Sequence, residues 1–231
     1  KQTIFVFKGA DHRYLTLAND VFKSNREWVR LNLETSYRLT RPMAAVMNKS
    51  ILGEEKFKAI KDGPPVHMYI MKPSHAYIVV EEILKRPGVK PSDIFVLNYS
   101  TKNTSKNMIA LENKLKDVPR VVLNDDSGII DNKVIEGKLV ISSFHRVKGL
   151  GRPIVIVIGF DTGYHFSDRN SSKDLCSNPL YVGLTRATNE LILIHAIYNK
   201  SFSWLRPCDD LKITGVAAPK ISGQSPPVDY N

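Results

Sequence analysis

The sequence predicts a doubly wound α/β fold built on a mainly parallel sheet. Strand-like and helix-like segments alternate along the chain, the pattern of strands joined through helices that cover one sheet. Two stretches, Pro153–Gly159 and Leu191–His195, are nearly continuous apolar runs, as strands buried on both faces require. The 231 residues are 42% hydrophobic, enough for the core of one large domain with attachments.

The elements follow in order. Thr3–Phe7 is short, apolar and partly β-branched, and reads as the end of a strand. Asp11 is placed to cap a helix to about Phe22, with Leu15, Ala18 and Phe22 at helical spacing. Thr40 is an N-cap residue, with Pro42 in the first turn, for a helix to about Leu52. Val66–Met71 reads as a strand. Ser74 precedes a helix to about Arg86 whose Ala76, Val79, Val80, Ile83 and Leu84 form one apolar face. Asp93–Leu97 is a strand, Met108, Leu111 and Leu115 mark a helix, and Arg120–Leu123 and Lys138–Ser143 are further strands. Asn124–Gly137 is polar and reads as a loop or small hairpin. From about Thr214 the chain is rich in Ala, Pro, Ser and Gly and reads as a mobile tail.

The net charge of +10 favours anionic partners, nucleic acid foremost. Cys176 and Cys208 are the only cysteines. They form neither a disulfide framework nor a zinc-site spacing, which fits a reducing, intracellular compartment, cytoplasm or nucleus. No apolar run approaches the roughly 20 residues that span a membrane, and no signal peptide is visible. The chain begins at Lys1, without Met and inside a strand-like segment, and so reads as part of something longer.

Ligands of open parallel sheets bind where loops leave the carboxyl ends of strands, and several segments are expected there. Ser142-Ser143-Phe144-His145-Arg146-Val147-Lys148-Gly149-Leu150 packs hydroxyls, an imidazole, two cations and a glycine into nine residues, the donor types that meet a nucleic-acid backbone. Leu33–Arg38 enters the Thr40 helix with Tyr37 beside Arg38, a pairing suited to base stacking with phosphate contact; a core tyrosine with a solvated arginine is the alternative. Gln2–Ala10 brings Phe7 and Lys8 out just before a glycine, a candidate base-stacking platform or simply core. Leu180–Ile194 sets Arg186 just before an apolar run. Its planar fork of donors suits phosphate oxygens, although a carboxylate partner or a helix end would serve such an arginine equally.

His145-Arg146-Val147-Lys148-Gly149-Leu150 resembles motif V of the UvrD/Rep-type superfamily 1 helicases. Tyr181-Val182-Gly183-Leu184-Thr185-Arg186-Ala187 resembles their motif VI, Leu33–Arg38 their motif IV, and Gln2–Ala10 the end of their motif III. The order along the chain fits, over roughly residues 1 to 197. The resemblance implies a second RecA-like domain, of the P-loop NTPase type but without the phosphate loop, covering residues 27–213. Residues 1–26 would be a remnant of the first such domain, and 214–231 the tail. Arg186 would be the arginine finger on the γ-phosphate of ATP and Arg38 a second cation there, while Gln2 would sense the γ-phosphate. Tyr37 would stack on adenine, with Gly149 and Gly151 bordering the nucleotide. Phe7 and Lys8 would meet DNA bases and backbone, and Ser142, Ser143, His145, Arg146 and Lys148 would hold the single strand.

Two positions depart from the family pattern. Gly151 stands where a ribose-contacting Glu is usual, which implies relaxed nucleotide selectivity. Lys8 stands where Arg is common, keeping the charge without the fork. No G-x-x-x-x-G-K-[ST] loop occurs, and the Asp-Glu pair that holds Mg²⁺ before motif III is missing, so those parts are expected upstream. The resemblance therefore implies the C-terminal motor half of an ATP-dependent DNA helicase moving 3′ to 5′. Its partners would be single-stranded and duplex DNA and its own upstream RecA-like domain, and it would need ATP with Mg²⁺. An RNA-directed superfamily 1 helicase is an alternative, though such proteins usually carry Gln-Gly in place of Lys148-Gly149. A non-catalytic nucleic-acid-binding scaffold is another.

Overall fold

Strands buried on both faces organise the molecule. The computed structural model describes residues 34–101, 106–123, 131–167 and 172–215, with the isolated residues Leu17, Asp20, Phe22, Arg26 and Val29. The chain first forms a parallel two-stranded ribbon, β1 (Thr35–Thr40) and β2 (Lys58–Lys61). Between them α1 (Arg41–Ala45) runs on as a π-helix over Val46–Leu52. The main sheet comprises β3 (Val66–Met71), β4 (Ile94–Asn98), β5 (Arg120–Val122), β6 (Leu139–Ser143), β7 (Arg152–Ile158), β8 (Ala187–Ala196) and β9 (Leu211–Gly215). Their spatial order is β5-β6-β4-β7-β8-β3-β9, and every pairing is parallel. The connections carry α2 (Ala76–Leu84), α3 (Lys106–Lys114), α4 (Asn132–Ile135), α5 (Tyr164–Ser167) and α6 (Asn178–Leu184).

The expected doubly wound α/β fold is the observed one. Phe95, Leu97, Val155, Val157, Leu191 and Leu193 point to one face, where Met43, Val46 and Met47 of the first helix and Leu180 and Leu184 of α6 cover them. Ile94, Val96, Ile154, Ile156, Ile192 and Ile194 point to the other, under Ala76, Val79, Val80 and Ile83 of α2 and Leu111 of α3. Burial on both faces is why β7 and β8 lack the polar alternation of a half-exposed strand. Each large aliphatic side chain fully withdrawn from water contributes about 1.5–3 kcal/mol.

The structure corrects the reading in several places. Leu211–Gly215 is a seventh strand beside β3, with Thr214 opposite Tyr69 and Gly215 opposite Ile70, so the sheet runs two residues past the expected start of the tail. Four of its five residues are exposed, so its sequence carries little apolar signal. Tyr37 and Arg38 lie in strand β1 rather than in a loop entering a helix. Thr40 holds the N-cap position but makes no cap bond; its side chain is buried against Gly63 instead. Asn178–Leu184 forms a helix ahead of Arg186, an element the sequence pattern does not announce. The segments Thr3–Phe7 and Asp11–Phe22 fall outside the continuously described residues, as do Gln2, Phe7 and Lys8.

One connection is unusually short. Parallel strands normally need a crossover of a dozen residues or more, yet only 144–151 separate β6 from β7. Those two strands flank β4 and run the same way, so the connection must return the length of the sheet. At ~3.3 Å per residue a five-residue strand spans roughly 16 Å, within reach of eight extended residues at roughly 26 Å. Phe144 and Val147 are fully buried along it, packed in the same core as α6, and fasten it to that face of the sheet. This one segment therefore touches both edges.

Candidate functional site

At the amino edge, α6 leads into β8. Ser177 caps the start of α6 by accepting from the Leu180 amide at 3.3 Å, and Pro179 fits its first turn. At its other end the last carbonyls lack helical partners. Arg186 supplies donors there: Nε to the Val182 carbonyl at 2.8 Å, Nη2 to the Thr185 hydroxyl at 3.2 Å, and Nη1 to the Leu150 carbonyl at 3.1 Å. The last bond joins the end of the crossover to the start of β8. Arg186 is 3% exposed and has no carboxylate partner among the described residues. Burial, with the nearby Arg38 charge, pulls its guanidinium down to about 10, against an opposing influence from Tyr181. Burial and Cys176 in turn push the Tyr181 phenol upward, while Arg186 acts the other way.

Arg38 reaches the same helix end from β1, with Nη1 3.4 Å from the Thr185 carbonyl. Tyr37, its neighbour in β1, is 78% exposed and offers an open aromatic face. The ribbon that carries them is held by buried Asn48, which donates to the Phe57 carbonyl at 2.7 Å and accepts from the Lys56 amide at 3.1 Å. Lys61 of β2 donates to the Thr188 carbonyl at 2.6 Å and so pins the ribbon against β8; nothing in its sequence context marked it. Gly151 lies between these parts. A Cβ there would stand 3.2 Å from the Arg186 carbonyl and 3.5 Å from Thr188 Cγ2, so the absence of a side chain lets the crossover lie close to β8. Gly149, at φ 90°, turns the crossover toward β7.

The carboxyl edge holds a different group. Ser143 ends β6, 95% buried, and its hydroxyl has no hydrogen-bond partner among the described residues. His145 packs edge-on against Tyr99, with ring centroids 5.9 Å apart. Tyr99 follows the end of β4, outside the motif-like segments, and itself packs on Tyr164. Arg146 is half-buried, and its Nε and Nη1 find no partner among the described residues. Lys148 is exposed along the crossover. Ser142 is fully buried with its hydroxyl turned to the Ser143 carbonyl at 3.4 Å, and so presents nothing to a ligand.

The expected residues thus divide between opposite ends of the strands. Arg186, Arg38, Tyr37 and Gly151 share the amino edge, while Ser143 and His145 share the carboxyl edge. Only the segment after β6 leaves a carboxyl end as expected. Arg152 shows what a purely structural buried arginine looks like here. It donates to the carbonyls of Lys138 at 2.6 Å, Ile94 at 3.0 Å and Ile135 at 3.1 Å and lies over the Phe95 ring. Burial draws it down to about 10, with Asp93 opposing.

No protein-family model and no curated protein matches the sequence. A solved structure, the C-terminal domain of a possible DNA helicase from Lactobacillus plantarum WCFS1, superimposes with a TM-score of 0.50 at 16% identity. The match covers 77% of this chain and 98% of that one. The two share one fold. Among the described residues, no helix is long and apolar enough to cross a membrane, and no cluster of His, Cys, Asp or Glu is placed to hold a metal ion.

Proposed function

We propose that this chain is the C-terminal motor half of an ATP-dependent DNA helicase or translocase of the UvrD/Rep type, moving 3′ to 5′. The observation that carries the reading is Arg186, buried without a carboxylate, with Arg38 on the same helix end. Two cations with no internal counter-charge are stable together only at a cost that an arriving anion relieves. In this reading the anion is the γ-phosphate of ATP, held chiefly by an upstream RecA-like domain that also supplies the Mg²⁺ ligands. Mg²⁺ would neutralise phosphate charge there. Arg186 and Arg38 act electrostatically, meeting negative charge that spreads over the transferring phosphoryl oxygens. Tyr37 stacks on the base, and Gly151, lacking a side chain, leaves the ribose uncontacted from this side.

The carboxyl edge, with Ser143, His145 and Arg146, holds the single strand in this reading, with Lys148 further along the crossover. The eight-residue crossover, tied to Arg186 through the Leu150 carbonyl, is the mechanical link between the edges. Closure on nucleotide at one edge displaces the strand contacts at the other. The resemblance of motifs IV, V and VI and the shared fold support the reading.

The test is Arg186→Ala in the full-length protein. ATP turnover falls by roughly 10³-fold or more, while single-strand affinity stays unchanged. Normal turnover would remove the assignment. The 231-residue chain alone hydrolyses no ATP, since neither the phosphate loop nor the metal ligands belong to it.

A further inference from the structure

Beyond Ser143 and His145, the carboxyl edge carries a second feature. The loop after β7 and the turn after β8 are locked together by one buried carboxylate. Asp161, 1% exposed, accepts from the amides of Gly163 and Ala196, both at 2.8 Å, and from Asn199 Nδ2 at 2.5 Å. The Thr162 amide donates to the Lys200 carbonyl at 2.9 Å. Both loops are therefore fixed with respect to the sheet. Each presents a large aromatic ring to solvent: Phe166 is 82% exposed and Tyr198 66% exposed. A ring left in water on a braced loop gives the fold no burial energy.

The charge at the adjoining strand ends is mainly positive. Lys72 and Lys200 are exposed in the segments that follow β3 and β8, and Arg146 is half-buried after β6. Within the described residues that directly follow β3, β4, β6, β7 and β8, namely 72–75, 99–101, 144–147, 159–163 and 197–200, Asp161 is the only carboxylate, and its oxygens are taken up by the three donors named; Asp174, Asp209 and Asp210 lie further along the connections after β7 and β8. Cations interleaved with open aromatic faces form the surface that holds a single-stranded nucleic acid, the cations following phosphates while the rings take bases. Along the edge β6-β4-β7-β8-β3 the strand spacing gives a track of roughly 19 Å.

We propose that Phe166 and Tyr198 are base-stacking residues for single-stranded DNA, with Lys200 a phosphate contact beside them. This extends the strand surface from Ser143 and His145 across β7 and β8, and it rests on the reading of the carboxyl edge as the nucleic-acid surface.

The experiment titrates the full chain into a short fluorescein-labelled DNA single strand of mixed sequence, following anisotropy at several salt concentrations. Phe166→Ala and Tyr198→Ala each weaken binding about tenfold without changing the slope of log affinity against log salt, and Phe166→Trp restores it. Lys200→Ala flattens that slope by about one. If Phe166→Ala and Tyr198→Ala bind like the unaltered chain while His145→Ala weakens binding, the stacking assignment is wrong and the wider reading stands. Failure of the unaltered chain to bind the strand at low salt overturns both. Equal losses against a duplex of the same sequence overturn stacking, because paired bases offer no free face.

Discussion

The backbone amide of Arg152 donates to the carbonyl of Arg186 at 3.1 Å. Two buried arginines, neither with a carboxylate partner among the described residues, thus stand side by side where β7 and β8 begin. Their surroundings differ. Arg152 is spent on carbonyls gathered from β4, the end of α4 and the residue before β6, and it stacks on Phe95. Arg186 also donates to two carbonyls and a hydroxyl, but it shares its helix end with a second cation.

That contrast predicts different costs of removal. Arg152→Met leaves several buried carbonyls unpaired and lowers stability by about 3 kcal/mol. Arg186→Met also loses bonds but removes a repulsion, and lowers stability by less than half as much. Urea unfolding of the two variants measures both values; equal losses would mean that Arg186 is a structural arginine like its neighbour.

Gly183 packs its backbone directly on the Phe144 ring, so an added methyl group collides with it. Gly183→Ala therefore forces α6 away from the crossover and costs about 1–3 kcal/mol. The displacement also moves the Arg186 carbonyl contacts, so nucleotide affinity falls together with the melting temperature.

Tyr37 behaves in the opposite way. Being 78% exposed, it contributes little to folding, and Tyr37→Ala changes stability by less than about 0.5 kcal/mol. Its loss weakens nucleotide binding by the assembled protein roughly fivefold to tenfold through lost stacking. Calorimetric titration alongside thermal unfolding separates the two effects.

The Arg186 guanidinium, drawn down to about 10 chiefly by burial, remains charged through neutrality. Anion affinity at the amino edge is accordingly flat between pH 7.5 and 9, as a prediction from that value, and declines above about 10 as the proton leaves. Linkage gives the matching sign for stability. The folded state releases this proton before the unfolded one, so the buried charge opposes folding below about 10 and the penalty fades as pH rises above it. Fluorescent-nucleotide titrations of the assembled protein across that range, with Arg186→Met as reference, detect the decline; an identical profile in the variant would assign it to another group.

Much of the architecture was legible in the chain itself. Apolar runs such as Pro153–Gly159 name buried parallel strands, because a strand covered on both faces has no position for a polar residue. The grouping of Ser143, His145, Lys148 and Arg186 into short segments was equally readable, since those chemical types stand close in sequence. What the sequence withheld has one physical origin: sequence proximity does not record the direction in which the chain runs past a sheet. Ser143 and Gly151 are eight positions apart yet lie at opposite strand ends, because the crossover returns the length of the sheet. Arg38 and Arg186, 148 positions apart by subtraction of their numbers, meet at one helix end because β1 lies along the start of β8. β9 stayed hidden since an exposed edge strand needs little apolar pattern. Residue types thus fixed which chemistry is present, and only tertiary packing decided that cations without carboxylates face one edge while aromatic rings and His145 line the other.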